Sequence, residues 1–292
     1  MSDIQILPME VERAIVQRIH ELFEENHLQE SFPNRLIRED ALDLLDRFCT
    51  VVYYPLEGEK NNGFHVNDIP FADGQRQNFV FINTAQTMEK QVFTAAHELG
   101  HLWGIDDYII ADQNLSDTSE MRELIINRFA AVLLIPEREF RAKILESLKE
   151  LVEDSKAIPL ISLLRFILVL MNHFFVPMKA IVLRLVEVDY LSSQVAKQLL
   201  DLQNDPNAGI ELYMQRLIVE YGYVKFQKPS MKKWIEGLAE NLDRVERLQL
   251  LPQQKIDYLR GKFDLKQPCT ITPTIETTVS LDVQEGFDTD DA

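Results

Sequence analysis

Val92-Phe93-Thr94-Ala95-Ala96-His97-Glu98-Leu99-Gly100-His101-Leu102-Trp103-Gly104 is the stretch on which the reading of this chain turns. Its small and apolar residues predict a buried helix from about Thr87 to Leu102, with Gly104 as the stop. On a helix, residues four apart lie one turn apart on the same face, so His97 and His101 point the same way. Two imidazoles and the Glu98 carboxylate on a buried helix are costly unless something compensates them. A divalent metal ion held by both rings does so.

Working downstream, a second helix opens near Ser116–Thr118, where short polar caps precede Glu120, and ends before Pro136. Upstream, Met9 to about Asn26 and Arg38 to Phe48 show helical apolar spacing. Between them and the histidines, Thr50 to Tyr54, Gly63 to Val66 and Asn78 to Asn83 read as strands, the last following the turn signal Asp73-Gly74. Strands this close, joined by short polar loops, predict a small antiparallel sheet. Beyond Pro136 only helices are expected, through about Lys262. The fold class is therefore α+β: a small antiparallel sheet on zincin-type helices, followed by an all-helical C-terminal region.

The two histidines and Glu98 form an HExxH pattern. In that chemistry His97 and His101 bind the metal, and Glu98, beside them, takes a proton from the attacking water. Catalytic zinc takes three protein ligands and leaves one position open. Asp106 and Asp107 follow Gly104 too soon to be presented from a separate element. Glu120 and Glu123 lie one turn apart on one helical face, and spacing does not choose between them. Asn127 is placed to orient Glu123. Tyr53, Tyr54, His65 and Tyr108 are candidate donors to the oxyanion, and the sequence does not choose among these either. Trp103 is placed to wall the cleft or to fill the core.

Composition narrows the setting. The 292 residues carry 30 Lys and Arg against 47 Asp and Glu, a net charge of −17, which repels phosphate backbones and argues against a nucleic-acid partner. With only Cys49 and Cys269, no disulfide framework is built, which fits a reducing compartment. Met1 to Met9 lacks the basic and apolar regions of a secretory leader. The apolar run Ala157 to Met171 is short and carries Arg165, so a buried core helix is expected and no membrane span.

With Phe93-Thr94-Ala95-Ala96-His97-Glu98-Leu99-Gly100-His101, then Glu123, Asn127, Phe129-Ala130-Ala131 and Leu133-Leu134-Ile135-Pro136, the chain resembles the ImmA/IrrE metallopeptidases. The family's second motif runs E-x-x-A-N-x-F-A-A-x-L-L-x-P. The resemblance puts Glu123, rather than Glu120, on the metal-binding glutamate. Ile126 departs from the alanine preferred there, at a packing position. The match is good over about residues 35–136 and weaker to about 190, where Phe174-Phe175-Val176-Pro177 and Ala180 to Leu185 are similar to the family's helix-turn-helix-like segment.

The resemblance implies a cytoplasmic, zinc-dependent endopeptidase that cleaves a transcriptional repressor or another regulatory protein. Manganese or iron can occupy the same ligands in vitro. Rival readings are a metal-binding regulator that sequesters a repressor without cutting it, and a protease toxin of a two-gene module. The expected divisions are a metallopeptidase domain at 1–136, a helix-turn-helix-like segment at 137–200, a helical region at 201–265 and an acidic, disordered tail at 266–292. On the second helix of that segment only Lys179 and Arg184 are basic, too few for a DNA-reading face. The oligomeric state is not legible.

Overall fold

The computed structural model describes residues 4–29, 36–57, 62–70, 76–151, 159–223 and 228–265. The Asp73-Gly74 turn, Cys269 and the acidic segment from residue 266 lie outside them. The described part is α+β, as expected, and the chain divides into two compact units between Leu238 and Ala239.

The first unit opens with α1 (Met9–Glu25) and α2 (Asp40–Asp46), which bury Val11, Ile15 and Leu22, and Ala41, Leu44 and Leu45. Strands β1 (Thr50–Tyr54), β2 (Gly63–Pro70) and β3 (Arg76–Asn83) follow. Val51, Tyr53, Val80 and Ile82 alternate along β1 and β3 and join the core beneath the helices, the period-2 pattern of a sheet with one covered face.

The sheet is mixed rather than antiparallel, a correction to the expected pairing. Its order is β2-β3-β1-β4. β2 and β3 pair antiparallel, but β3 runs parallel to β1, with Val51 opposite Val80 and Tyr53 opposite Ile82. Because β2 takes the outer place, β3 falls beside β1 after two reversals and so points the same way. Short polar loops do not exclude this when an entire strand serves as part of the crossover.

The C-terminal half of the first unit is also not all helical. β4 (Trp234–Ile235) pairs antiparallel with β1, setting Trp234 opposite Tyr53. Around it Met231 N–H donates to Thr84 O at 2.9 Å, Thr84 Oγ1 donates to Lys232 O at 2.7 Å, and Thr87 bridges Pro229. A two-residue strand has no periodicity of its own. It exists because the β1 edge offers unpaired backbone groups.

Helix α3 (Met88–Leu102) packs on β2 and β3 of the sheet, and α4 (Ile105–Gln113) and α5 (Ser119–Leu134) pack against α3 and each other. Gly100 is the contact point of α3 and α5. A Cβ there would lie 2.7 Å from Phe129 Cδ1 and 3.2 Å from Ile126 Cδ1. Ile126, the departure from the family pattern, is fully buried in that contact.

Past α6 (Glu137–Leu151), α7 (Leu160–Phe174) and α8 (Met178–Glu187) meet at a 102° bend. Phe175, with φ +57°, caps α7 in the left-handed region. Both helices bury most of their apolar residues, and among the described residues no single helix is long and apolar enough to cross a membrane. Helices α9 (Ser193–Asn204) and α10 (Ile210–Glu220) complete the helical part. In the second unit Arg260 of α12 (Gln253–Lys262) donates to Asp243 and Glu246 of α11 (Leu238–Arg247), each at 2.7 Å.

Candidate metal and catalytic site

α3 places His97 and His101 one turn apart, their ring centroids 5.0 Å from each other and their side chains 18% and 16% exposed. α5 packs against α3 through Gly100, and that close contact carries Glu123 across to the two rings. His97 Nε2 lies 3.6 Å from Glu123 Oε2, and His101 Nε2 lies 3.7 Å from Glu123 Oε1. One donor atom from each residue fits within 4.8 Å of the others.

Those separations are too long for hydrogen bonds. They match the roughly 3.3 Å edge of a tetrahedron whose centre is about 2.0–2.1 Å from each ligand. Burial, then the neighbouring His97, holds His101 below the ordinary imidazole value. That favours the neutral ring, the form that ligates. Two imidazoles and a carboxylate at these distances could hold a divalent metal ion.

Glu98 projects from α3 beside His97 and is 6% exposed. His65, on the edge strand β2, approaches it with Nδ1 2.8 Å from Oε2. The hydrogen bond from His65 to Glu98 raises the imidazole's pKa against the opposing effect of burial. The His65 ring also lies 4.8 Å from that of His101.

A family model described as an IrrE N-terminal-like domain, of the M78 peptidases, matches residues 47–186. The domain at residues 47–186 belongs to the ImmA/IrrE family. No curated protein matches. Among solved structures a Mycobacterium tuberculosis transcriptional regulator is similar at 19% identity, over 61% of this chain and 47% of that one, with a TM-score of 0.39. The chain therefore spans about half the length of that structure.

Within this ImmA/IrrE domain several sequence expectations need correcting. Asp106 and Asp107 do stand on a separate element, α4, which starts at once because Gly104 adopts φ +60°. Neither aspartate joins the cluster. Arg122 takes both, at 2.7 Å each, together with Asp117 at 2.6 Å. Asn127 does not orient the Glu123 carboxylate. Its amide donates to the Glu123 backbone carbonyl at 2.7 Å, the usual reach of a polar side chain to the preceding helical turn. Glu120 stands exposed in the first turn of α5, outside the group formed by His97, His101 and Glu123.

Of the four candidate oxyanion donors, Tyr53 turns to Asp46, to which its hydroxyl donates at 3.1 Å. Burial, then that carboxylate, pushes its pKa far up. Tyr108 lies under the Arg18 guanidinium, 4.8 Å from its ring centroid. His65 alone of Tyr53, Tyr108 and itself reaches Glu98. Trp103 packs edge-on against Phe23, Phe48 and Phe129, which makes it a core residue. Cys49 is half-buried, its thiol pushed up to about 12 by burial, and takes no part.

Proposed function

We propose that this chain is a zinc-dependent endopeptidase, with His97, His101 and Glu123 as ligands and Glu98 as the general base. The observation that carries this is the convergence of a carboxylate from α5 on two imidazoles from α3, while the carboxylate next to them in sequence is left outside the ligand set. The M78 peptidase match over the same residues supports the reading. Manganese or iron suits the same donors in vitro.

A divalent ion bound there supplies Lewis acidity, polarising the scissile carbonyl and lowering the pKa of water. Glu98 accepts a proton from the attacking water as the new C–O bond forms. It then delivers that proton to the amide nitrogen as the C–N bond breaks, leaving a carboxylic acid and an amine. Glu98 suits this because it sits in a low-dielectric wall beside the ligands and is not consumed in holding the ion.

The substrate class follows the family: a transcriptional repressor or comparable regulatory protein, cut in the cytoplasm. The test is co-expression of wild type or Glu98→Gln with candidate repressors, reading fragment masses by mass spectrometry. New fragments with wild type and none with the variant are expected. Repressor inactivation that survives Glu98→Gln without fragments would replace cleavage by sequestration. Growth arrest relieved by that variant, with every repressor intact, would point to a toxin.

A further inference from the structure

His65 lies 32 residues before His97 and belongs to no motif, yet β2 delivers it to the base. Its partner across the β2–β3 ladder is Val80, and that of Gly63 is Ile82. Directly paired residues share a face, so Gly63 and His65 lie on the side covered by α3. At Gly63 the strand touches the helix. A Cβ there would sit 2.5 Å from Phe81 O and 2.7 Å from Thr94 Cγ2. Thr94 and Glu98 are one helical turn apart, about 6 Å along the axis, and Gly63 and His65 are two strand residues apart, about 6.6 Å. The two repeats run nearly in step. With Gly63 seated on Thr94, His65 arrives at Glu98.

We propose that His65 is a positioning residue for Glu98, which deepens the peptidase reading above and rests on it. An ionised carboxylate only accepts, so Nδ1 carries the proton and donates it to Oε2. That bond fixes one carboxylate oxygen and leaves Oε1 to take the proton of the attacking water. A glutamate side chain has three free torsions, and its one hydrogen bond to a side chain among the described residues is this one. The His65 ring is in turn confined by the His101 ring, tilted 40° against it. A base held in one orientation meets its water in the reactive geometry more often than one free to rotate.

The test compares wild type with His65→Phe, which keeps a ring and removes the donor, and His65→Asn, which keeps a short N–H donor. Three readouts are needed: bound zinc after dialysis, kcat and KM on a cleaved repressor or peptide, and the imidazole ¹⁵N–¹H correlations of the metal-free protein. Expected are unchanged zinc content in all three, a kcat roughly 10- to 100-fold lower in His65→Phe with little change in KM, and partial recovery in His65→Asn. The metal-free wild type should show the His65 proton on Nδ1, a signal that shifts in Glu98→Ala.

Wild-type kcat in His65→Phe overturns the proposal. So does a loss confined to KM, which would make His65 a substrate contact, or loss of zinc, which would make it a prop of the ligand set. A protein with no metal and no cleavage would sink the peptidase reading instead, and the metal-free spectra would still report whether His65 donates to Glu98.

Discussion

Glu98 and Glu123 are the same residue type with opposite surroundings. Glu98 is 6% exposed and bonded to His65, whereas the Glu123 side chain is 58% exposed and faces two rings. Glu98→Gln keeps the shape but cannot take a proton. It should retain bound zinc, measured by atomic absorption after dialysis, and lose about 10²- to 10⁴-fold in kcat. Glu123→Ala should do the reverse to the metal, lowering zinc content sharply. Because Glu123 is largely exposed, its loss should barely change the melting temperature of the metal-free protein. Wild type should melt higher with zinc added, by the mass action of a ligand that binds only the folded state, and Glu123→Ala should show no such rise in a thermal scan. His97, Glu98 and His101 could be read from the chain because their relation is local: helix pitch dictates it. His65 could not be assigned, because its relation to Glu98 depends on ladder register and on strand-to-helix contact, neither of which is local.

At the scale of elements, the site depends on how closely α3 and α5 approach. Gly100 sets that distance, and the nearest atoms to a new Cβ are ring carbons of Phe129, which is fully buried. Gly100→Ala should therefore overpack the contact by about 1–3 kcal/mol, against a helix-propensity gain of about 1 kcal/mol. A net loss of about 1 kcal/mol is expected in urea unfolding, with weaker zinc retention as Glu123 is pushed from the rings. β1, α3 and α5 were legible within a residue or two because each carries a long regular pattern. α4 was not, since it follows α3 after a single left-handed glycine and looks like a loop of acidic residues. Those acids gain their partner only when Arg122 arrives from α5.

Over the whole molecule, α1, α5 and α8 are joined by a buried ion cluster. Arg184 is 1% exposed and donates to Glu12 at 2.7 Å and Glu187 at 3.2 Å, while Arg128 pairs with the same two glutamates. Burial, then the adjacent Arg184, pulls Arg128 down to about 10. This cluster also takes Arg184 out of any surface role, so of the two basic residues on α8 only Lys179 is exposed. Burial alone would raise the Glu12 carboxyl, but Arg184 and Arg128 outweigh it and hold it below 4.5. A carboxyl lowered in the folded state stabilises the fold fully above its ordinary value, and that contribution is lost as pH falls through the folded value. Glu12→Gln should therefore cost about 3 kcal/mol at pH 7, with the deficit narrowing as pH drops below 4.5. Chemical denaturation at several pH values checks this, and a deficit constant down to pH 3 would refute it.

The sequence by itself determined what depends on neighbours a few residues apart: the helix that aligns His97 with His101, the alternating strands, and the carboxylate between the two histidines. It also carried the family motif that selects Glu123 over Glu120. Only the tertiary structure decided that β3 runs parallel to β1, that a two-residue strand closes the other edge, that Arg122 takes the aspartates of α4, and that His65 rests on Glu98. The physical reason is range. Helix pitch and strand pleat are set by local bonds, whereas sheet order, helix contact and ion pairing are set by which distant surfaces bury each other.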